Sequence, residues 1–193
     1  AISTFMTKAV ISENRFVKIP DEMPLREAAL LGCAIPTGAG IVINTMDISV
    51  GKSIAIFGMG GIGLSALLAA KARGASKIIA IDISEDKLKQ SISFGATQVL
   101  NAKNDSVIEV IMKISDNKGI DYAIESAGKK ESMEMAFKSV RDNGGLCVIA
   151  GNLSLGEKIQ IDPFDLIKGK RIIGTWGGQT QPDRDIPMYS DWV

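Results

Sequence analysis

The sequence predicts an α/β fold, a doubly wound parallel sheet of six strands with helices on both faces. Three observations carry it. From Ser53 onward, short apolar runs rich in Ile and Val alternate with longer segments of helical period, the pattern of strands joined by crossover helices. The first of these runs, Ser53-Ile54-Ala55-Ile56-Phe57, delivers a G-x-G-x-x-G turn straight into a helical segment. The second ends on an acid, Asp82, 19 residues beyond Gly63.

Strands are predicted at Ser53 to Phe57, Lys77 to Ile81, Thr97 to Leu100, Ile120 to Glu125, Leu146 to Ala150 and Arg171 to Thr175. Their nearly unbroken hydrophobicity is that of strands covered on both faces. Helices are predicted at Gly61 to Arg73, Glu85 to Phe94, Ser106 to Ile114 and Lys130 to Val140, with a shorter one near Pro163 to Lys168. Ser84 followed by Glu85 and Asp86 reads as an N-cap with an acidic first turn, and Gly74 and Gly95 read as helix stops. Gly144-Gly145 turns the chain into the fifth strand. Ahead of the alternating region, Thr4 to Ile11 and Arg15 to Ile19 read as strands, Pro20 to Pro24 as a turn and Leu25 to Leu31 as a short apolar helix. Two strands bury no core alone, so this β-rich segment is expected to pack on something else. After the sixth strand, Gly177 to Pro187 reads as a loop, and Tyr189 and Trp192 as the first turns of an amphipathic helix. Both ends look cut through structure, and the chain is expected to be part of a longer protein.

Composition narrows the function. In 193 residues, 22 basic side chains balance 22 acidic ones, so no field is available to hold nucleic acid or an acidic membrane surface. The uncharged stretches Ala28 to Met46 and Ser53 to Ala70 are long enough to raise the question of a membrane span. Glycines interrupt both, and Pro36 and Asn44 interrupt the first, so no span is expected. With no histidine, the chain supplies no Ser-His-Asp triad and no histidine metal ligand. Cys33 and Cys147 stand 114 positions apart, neither a disulfide framework nor a zinc-finger spacing, and a reducing, cytoplasmic setting is expected.

The glycine turn carries the chemistry. Gly58 permits the tight turn, Gly60 lets backbone approach a pyrophosphate, and Gly63 lets the helix lie close on its strand. The phosphates would meet the unpaired N–H groups and positive dipole of the helix start at Gly61. Asp82 stands where a carboxylate accepts adenosine ribose hydroxyls and repels a 2′-phosphate, and position 83 is Ile rather than a phosphate-pairing Arg. Together these predict a Rossmann-type site for NAD(H) rather than NADP(H). The other readings are a glycine turn present for packing and Asp82 as a capping acid for the turn 82–86.

The runs Ala28-Ala29-Leu30-Leu31-Gly32-Cys33-Ala34-Ile35-Pro36-Thr37-Gly38, Gly58 to Gly63, Gly74-Ala75, Asp82 with Lys87, and Phe94-Gly95-Ala96-Thr97 resemble the medium-chain, zinc-dependent alcohol dehydrogenases. The resemblance runs from Ser3-Thr4-Phe5 to Gly174–Gly178. It implies a trailing part of a GroES-like catalytic domain at 1–35, an NAD-binding domain at 36–176 and the start of a return segment at 177–193. It makes Cys33 one of three zinc ligands, the others lying in a segment not represented here; in this chain alone Cys33 reads as a small apolar residue. Thr37 would line the nicotinamide side of the cleft, making Cys33 and Thr37 the catalytic candidates. Gly58, Gly60, Gly61 and Gly63 would hold the pyrophosphate, Ile62 would lie behind the nicotinamide ring, and Lys87 would reach the ribose beside Asp82. Ser126-Ala127 and Ala150-Gly151 would contact the ribose and the nicotinamide amide. Ile62 also reads as a core contact and Lys87 as a solvated helix residue, while Cys147 and Glu125 are assigned structural roles.

The implied activity is oxidation of a small alcohol to an aldehyde or ketone by hydride transfer to NAD, with zinc at the parent site and a homo-oligomer, dimer or tetramer, as the working form. The 193-residue chain by itself is expected to bind NAD(H) weakly and to be inactive. A zinc-independent quinone or enoyl reductase using NADPH is the rival within the superfamily; Cys33 and Asp82 argue against it. A non-catalytic dinucleotide-binding regulatory module is the rival of another class.

Overall fold

The computed structural model describes residues 6–13 and 16–190. Its centre is a six-stranded, wholly parallel sheet of β1 (Ser53–Phe57), β2 (Lys77–Asp82), β3 (Gln98–Asn101), β4 (Tyr122–Glu125), β5 (Leu146–Ile149) and β6 (Arg171–Gly174). The spatial order is β3-β2-β1-β4-β5-β6. Strand order therefore reverses between β1 and β4, which pair with Phe57 opposite Glu125. In an open α/β sheet the crevice beyond that reversal is where ligands bind.

The central strands β1, β2, β4 and β5 bury both faces, which is why they do not alternate, whereas the edge strand β6 stays partly exposed. Ile54, Ile56, Ile78, Ala80, Ile124 and Val148 face one core with Leu67 and Ala70 of α3 (Gly61–Ala72). Ala55, Phe57, Ile79, Ile81, Ala123 and Cys147 face the other, with Ile111 of α5 (Val107–Ile114) and Phe137 of α6 (Lys130–Ser139). The remaining crossovers are α4 (Glu85–Phe94), stopped by Gly95 at φ 115°, and the short α7 (Pro163–Ile167). Ser84 occupies the N-cap position of α4 without a side-chain bond, and Asp82 accepts the Ser84 N–H in its place.

Outside the sheet the structure corrects three expectations. Residues 6–11 and 16–19 form no strand; Thr4, Phe5 and Arg15 lie outside the described residues. The sheet ends at β3 and β6 without recruiting them, and Val10 and Phe16 stay exposed. Leu25–Leu31 is helical as expected, as α1 (Leu25–Ala28) and a 3-10 turn (Ala29–Gly32). It is followed by a helix the sequence did not announce, α2 (Ala34–Gly40), continued by a π-turn (Ile41–Thr45). Pro36 is no obstacle there, because it sits in the first turn, where an N–H has no helical partner to lose. The expected loop 177–187 is instead a 3-10 turn (Gly177–Gln179) and α8 (Pro182–Ser190). Pro182 starts that helix from its first position, where proline is pre-shaped. Tyr189 lies in the last turn of α8 rather than opening a helix, and Trp192 is outside the described residues.

Among the described residues no single helix is long and apolar enough to cross a membrane; the pair Leu25–Gly32 and Ala34–Thr45, bent by 55°, passes by length and composition only. Residues 36–42 of that pair are buried against the rest of the chain.

Candidate dinucleotide-binding site

Backbone geometry builds the site at the reversal of strand order. The Gly58 N–H still donates to Ile81, extending the β1–β2 ladder by one bond (2.7 Å), and Gly58 then turns at φ 93°. A Cβ on Gly58 would lie 2.7 Å from the Ala127 nitrogen, and one on Gly63 would run into the Gly58 carbonyl oxygen. Both glycines therefore serve close packing. Gly60 differs: no atom lies within 4 Å of where its Cβ would be. It caps α3 in an extended conformation, and the Leu64 N–H is the one that closes on its carbonyl (2.9 Å). The N–H groups of Gly61, Ile62 and Gly63 precede the helical ladder, so the open space at Gly60 adjoins a set of unpaired donors at a helix start.

Asp82 ends β2 with 9 % of its surface exposed and ties the turn after its own strand to the glycine turn. Oδ1 accepts from Ile83 N (2.8 Å) and Ser84 N (3.0 Å), so the capping role is real. Oδ2 accepts from Met59 N inside the glycine turn (2.7 Å) and faces Lys87 Nζ at 3.8 Å. A carboxylate offers about four lone-pair directions. Three are taken, and the remaining one is on Oδ2, beside Lys87. Gly58, Gly60, Asp82, Lys87, Ser126 and Ala127 line one cleft of about 460 Å³, the size of a small-molecule site. Lys129, Glu131, Ser132 and Met135 add to its wall, with no sequence signal to mark them.

The other predicted residues group beyond the glycine turn. Cys33 is exposed and precedes α2 at φ −154°, and Thr37 is buried in α2. A Cβ on Gly38 would run into the Ile62 carbonyl, and one on Gly61 would come within 3.0 Å of Ala34, so α2 lies directly on the start of α3. This contact brings Cys33 and Thr37 to the Ile62 side of the turn. Ser126 spends its hydroxyl on the turn itself, 2.9 Å from the Gly58 carbonyl oxygen and 3.1 Å from that of Phe57. Ala150 and Gly151 donate their N–H groups to the Glu125 carbonyl (2.8 and 3.1 Å).

The residues present fit a dinucleotide: the space at Gly60, the unpaired helix-start donors and the spare lone pair of Asp82 answer to phosphate and hydroxyl groups. They do not fit a zinc site. Among the described residues no three His, Cys, Asp or Glu side chains are grouped to hold a metal, and a catalytic zinc needs about three protein ligands. Cys147 is buried in β5, and burial above all pushes its thiol far up and leaves it inert.

Strand order, glycine turn and cleft define the class, a Rossmann-type α/β domain. A family profile described as zinc-binding dehydrogenase matches residues 61–193, and the chain belongs to that family. Among solved structures it is similar to an alcohol dehydrogenase zinc-binding domain protein from Burkholderia ambifaria (37% identity over 93% of this chain and 48% of that one, TM-score 0.88). It is also similar to benzyl alcohol dehydrogenase from Acinetobacter calcoaceticus (38%, 93% and 49%, TM-score 0.89). A more distant likeness is to 2R,3R-butanediol dehydrogenase from Bacillus subtilis (25%, 90% and 48%, TM-score 0.75). The chain spans about half the length of the structures it matches.

Proposed function

We propose that this chain is the NAD(H)-binding part of a zinc-dependent alcohol dehydrogenase that converts a small alcohol to an aldehyde or ketone. The observation that carries the reading is the open space at Gly60 in the cleft between the β1 and β4 turns, with Asp82 bonded both to the glycine turn and to the turn after β2. NAD, when bound, supplies the hydride acceptor. The chain's own residues bind and orient it. The N–H groups at the start of α3 receive the pyrophosphate, and Oδ2 of Asp82 accepts a ribose hydroxyl beside Lys87. Ser126 and Ala127 wall the ribose, while Ala150, Gly151, Ile62 and Thr37 flank the nicotinamide. The value of such a platform is orientation, fixing the reacting carbon at one place and distance.

Cys33 is the one residue proposed here as a zinc ligand; the remaining ligands would come from parts of the protein that this chain does not span. The division into 1–35, 36–176 and 177–193 is retained as a proposal, with residue 36 falling inside α2. Association of copies through β6 is proposed on its position at the sheet edge and on the exposed Trp176, Phe164 and Ile167 nearby. A cytoplasmic setting accords with two free cysteines. The NADPH-dependent rival is disfavoured by Asp82 and by Ile83, which offer a 2′-phosphate a carboxylate and no guanidinium.

Calorimetric titration with NADH and NADPH tests the reading. Saturable NADH binding, clearly weaker NADPH binding and loss of the preference in Asp82→Ala are expected. Equal binding of the two, or a folded protein that binds neither, would overturn it. The 193-residue chain is expected to turn over no alcohol, so zinc-dependent oxidation by it would contradict the incomplete metal site.

A further inference from the structure

Glu125 is fully buried at the end of β4, and the activity just proposed makes no use of it. Its Oε1 accepts the N–H groups of Ala127 (2.9 Å) and Gly128 (2.8 Å), closing the turn that follows the strand. Its backbone carbonyl accepts Ala150 and Gly151 from the turn after β5. A Cβ on Gly151 would come 2.6 Å from Oε2 and 2.5 Å from the Gly128 nitrogen, so only glycine fits beside the carboxyl. Ala127, held by Oε1, is the residue that abuts Gly58. Three ligand-facing turns, after β1, β4 and β5, are thus set against one another around a single side chain. Oε2 is buried with no hydrogen bond made to it.

We propose that Glu125 is a positioning residue for the dinucleotide and that it works as the neutral acid, so that dinucleotide binding and protonation of Glu125 are coupled. This rests on the dinucleotide reading above. The turn needs only an acceptor at Oε1, which the acid and the carboxylate both supply. They differ in charge. An ionised carboxylate in a water-poor wall would oppose the phosphates approaching Gly60, whereas the acid does not.

The surroundings agree. Burial raises Glu125 above the usual carboxyl range, against the Ser132 hydroxyl and the N–H groups of Gly128, Ala127 and Lys129, which favour the charged form. The charged groups of the cleft next to it are Lys129 and Glu131 at the start of α6, and Asp82 and Lys87 on the opposite wall. β5 offers Cys147 on the same face and β1 offers Phe57, neither of them charged. A bound dianion favours the protonated acid further, and by linkage a proton favours the dianion equally. Affinity is therefore full while Glu125 is protonated and falls as pH rises through its raised pKa.

The test is NADH titration of the full-length protein in buffers of different ionisation enthalpy, across the whole pH range in which it stays folded, where one coupled proton changes affinity by at most about tenfold per pH unit. Expected are fractional proton uptake on binding, a dissociation constant that rises several-fold with pH, and Glu125→Gln, an uncharged isostere, that binds as tightly as wild type does at low pH with neither effect. Glu125→Ala, which leaves two N–H groups unpaired, is expected to bind at least about tenfold more weakly at every pH. Wild-type binding with no proton uptake and a flat pH profile overturns the inference and leaves the dinucleotide reading intact. So does a Glu125→Gln variant that keeps the wild-type pH profile. Absence of NADH binding by wild type at every pH removes both.

Discussion

Asp121 and Glu125 flank one short strand, four residues apart, and their environments drive them in opposite directions. Burial works to raise Asp121, but the Ser53 N–H (3.0 Å) and hydroxyl (2.9 Å), then Arg141 (3.0 Å) and Lys52 (3.3 Å), more than reverse it and hold the acid at about 2. Glu125 has neutral donors only, and burial wins. The signs follow. A lowered folded pKa contributes stability above the unfolded value near 4 that is lost as pH falls toward 2; a raised one contributes stability at low pH that is lost as pH rises through it. Asp121→Asn should therefore lower unfolding free energy at pH 7 by about 1–2 kcal/mol, with the deficit closing on acidification. Glu125→Gln should gain on wild type as pH rises. Denaturant melts of the three proteins across pH check both, and parallel wild-type and Asp121→Asn curves would refute the first.

Helix seating depends on which glycines face backbone and which face space. Gly38 lets α2 lie on the start of α3 and Gly63 lets α3 lie on the turn after β1, each where an added Cβ meets a carbonyl oxygen. Gly60 faces the cleft with normal extended geometry. Gly63→Ala or Gly38→Ala should cost about 1–3 kcal/mol of stability, since backbone must move. Gly60→Ala should melt as wild type does yet bind NADH at least about tenfold more weakly, because its methyl enters the phosphate space. Melting curves paired with titrations separate the classes; a Gly60→Ala protein with unchanged affinity would remove Gly60 from the site. This contrast also shows what the sequence could reveal. The strand-turn-helix context identified all three fingerprint glycines, and doubly buried strands showed as apolar runs, because both signals are local. The α2 helix did not show: Pro36, Gly38, Gly40 and Asn44 depress its propensity, and tertiary contacts with α3 and the 177–179 turn maintain it. The cleft wall at Lys129, Ser132 and Met135 was equally hidden, since ordinary residues on α6 and at its N-cap reach the cleft only through the fold.

At the scale of the whole molecule, the segments before and after the sheet meet each other as well as packing on the sheet's core and α3. Asp185 of α8, fully buried, accepts from Asn44 Nδ2 of the π-turn (2.9 Å) and Gln181 N (2.9 Å), and pairs with Arg184. Thr180 donates to the Pro36 carbonyl (2.8 Å), and Gly178 packs on Thr37 and Gly40. The chain's far end thereby clamps α2, the helix placing Cys33 and Thr37 beside the glycine turn. Burial opposes the charge on Asp185, but Arg184, the Gln181 N–H and Asn44 overcome it and lower its pKa, so the clamp holds at neutral pH and weakens as pH falls through that lowered value. The cleft at Asp82 shares no residue with this contact. Asp185→Ala should consequently speed amide exchange in α8 and α2 while leaving β1, β2 and β4 protected. It should also weaken NADH, which needs the nicotinamide side, several-fold while leaving ADP-ribose affinity near wild type. Equal losses for both ligands would mean that the two halves of the site are not independently supported, and unchanged exchange in α2 would mean that the clamp does not hold it.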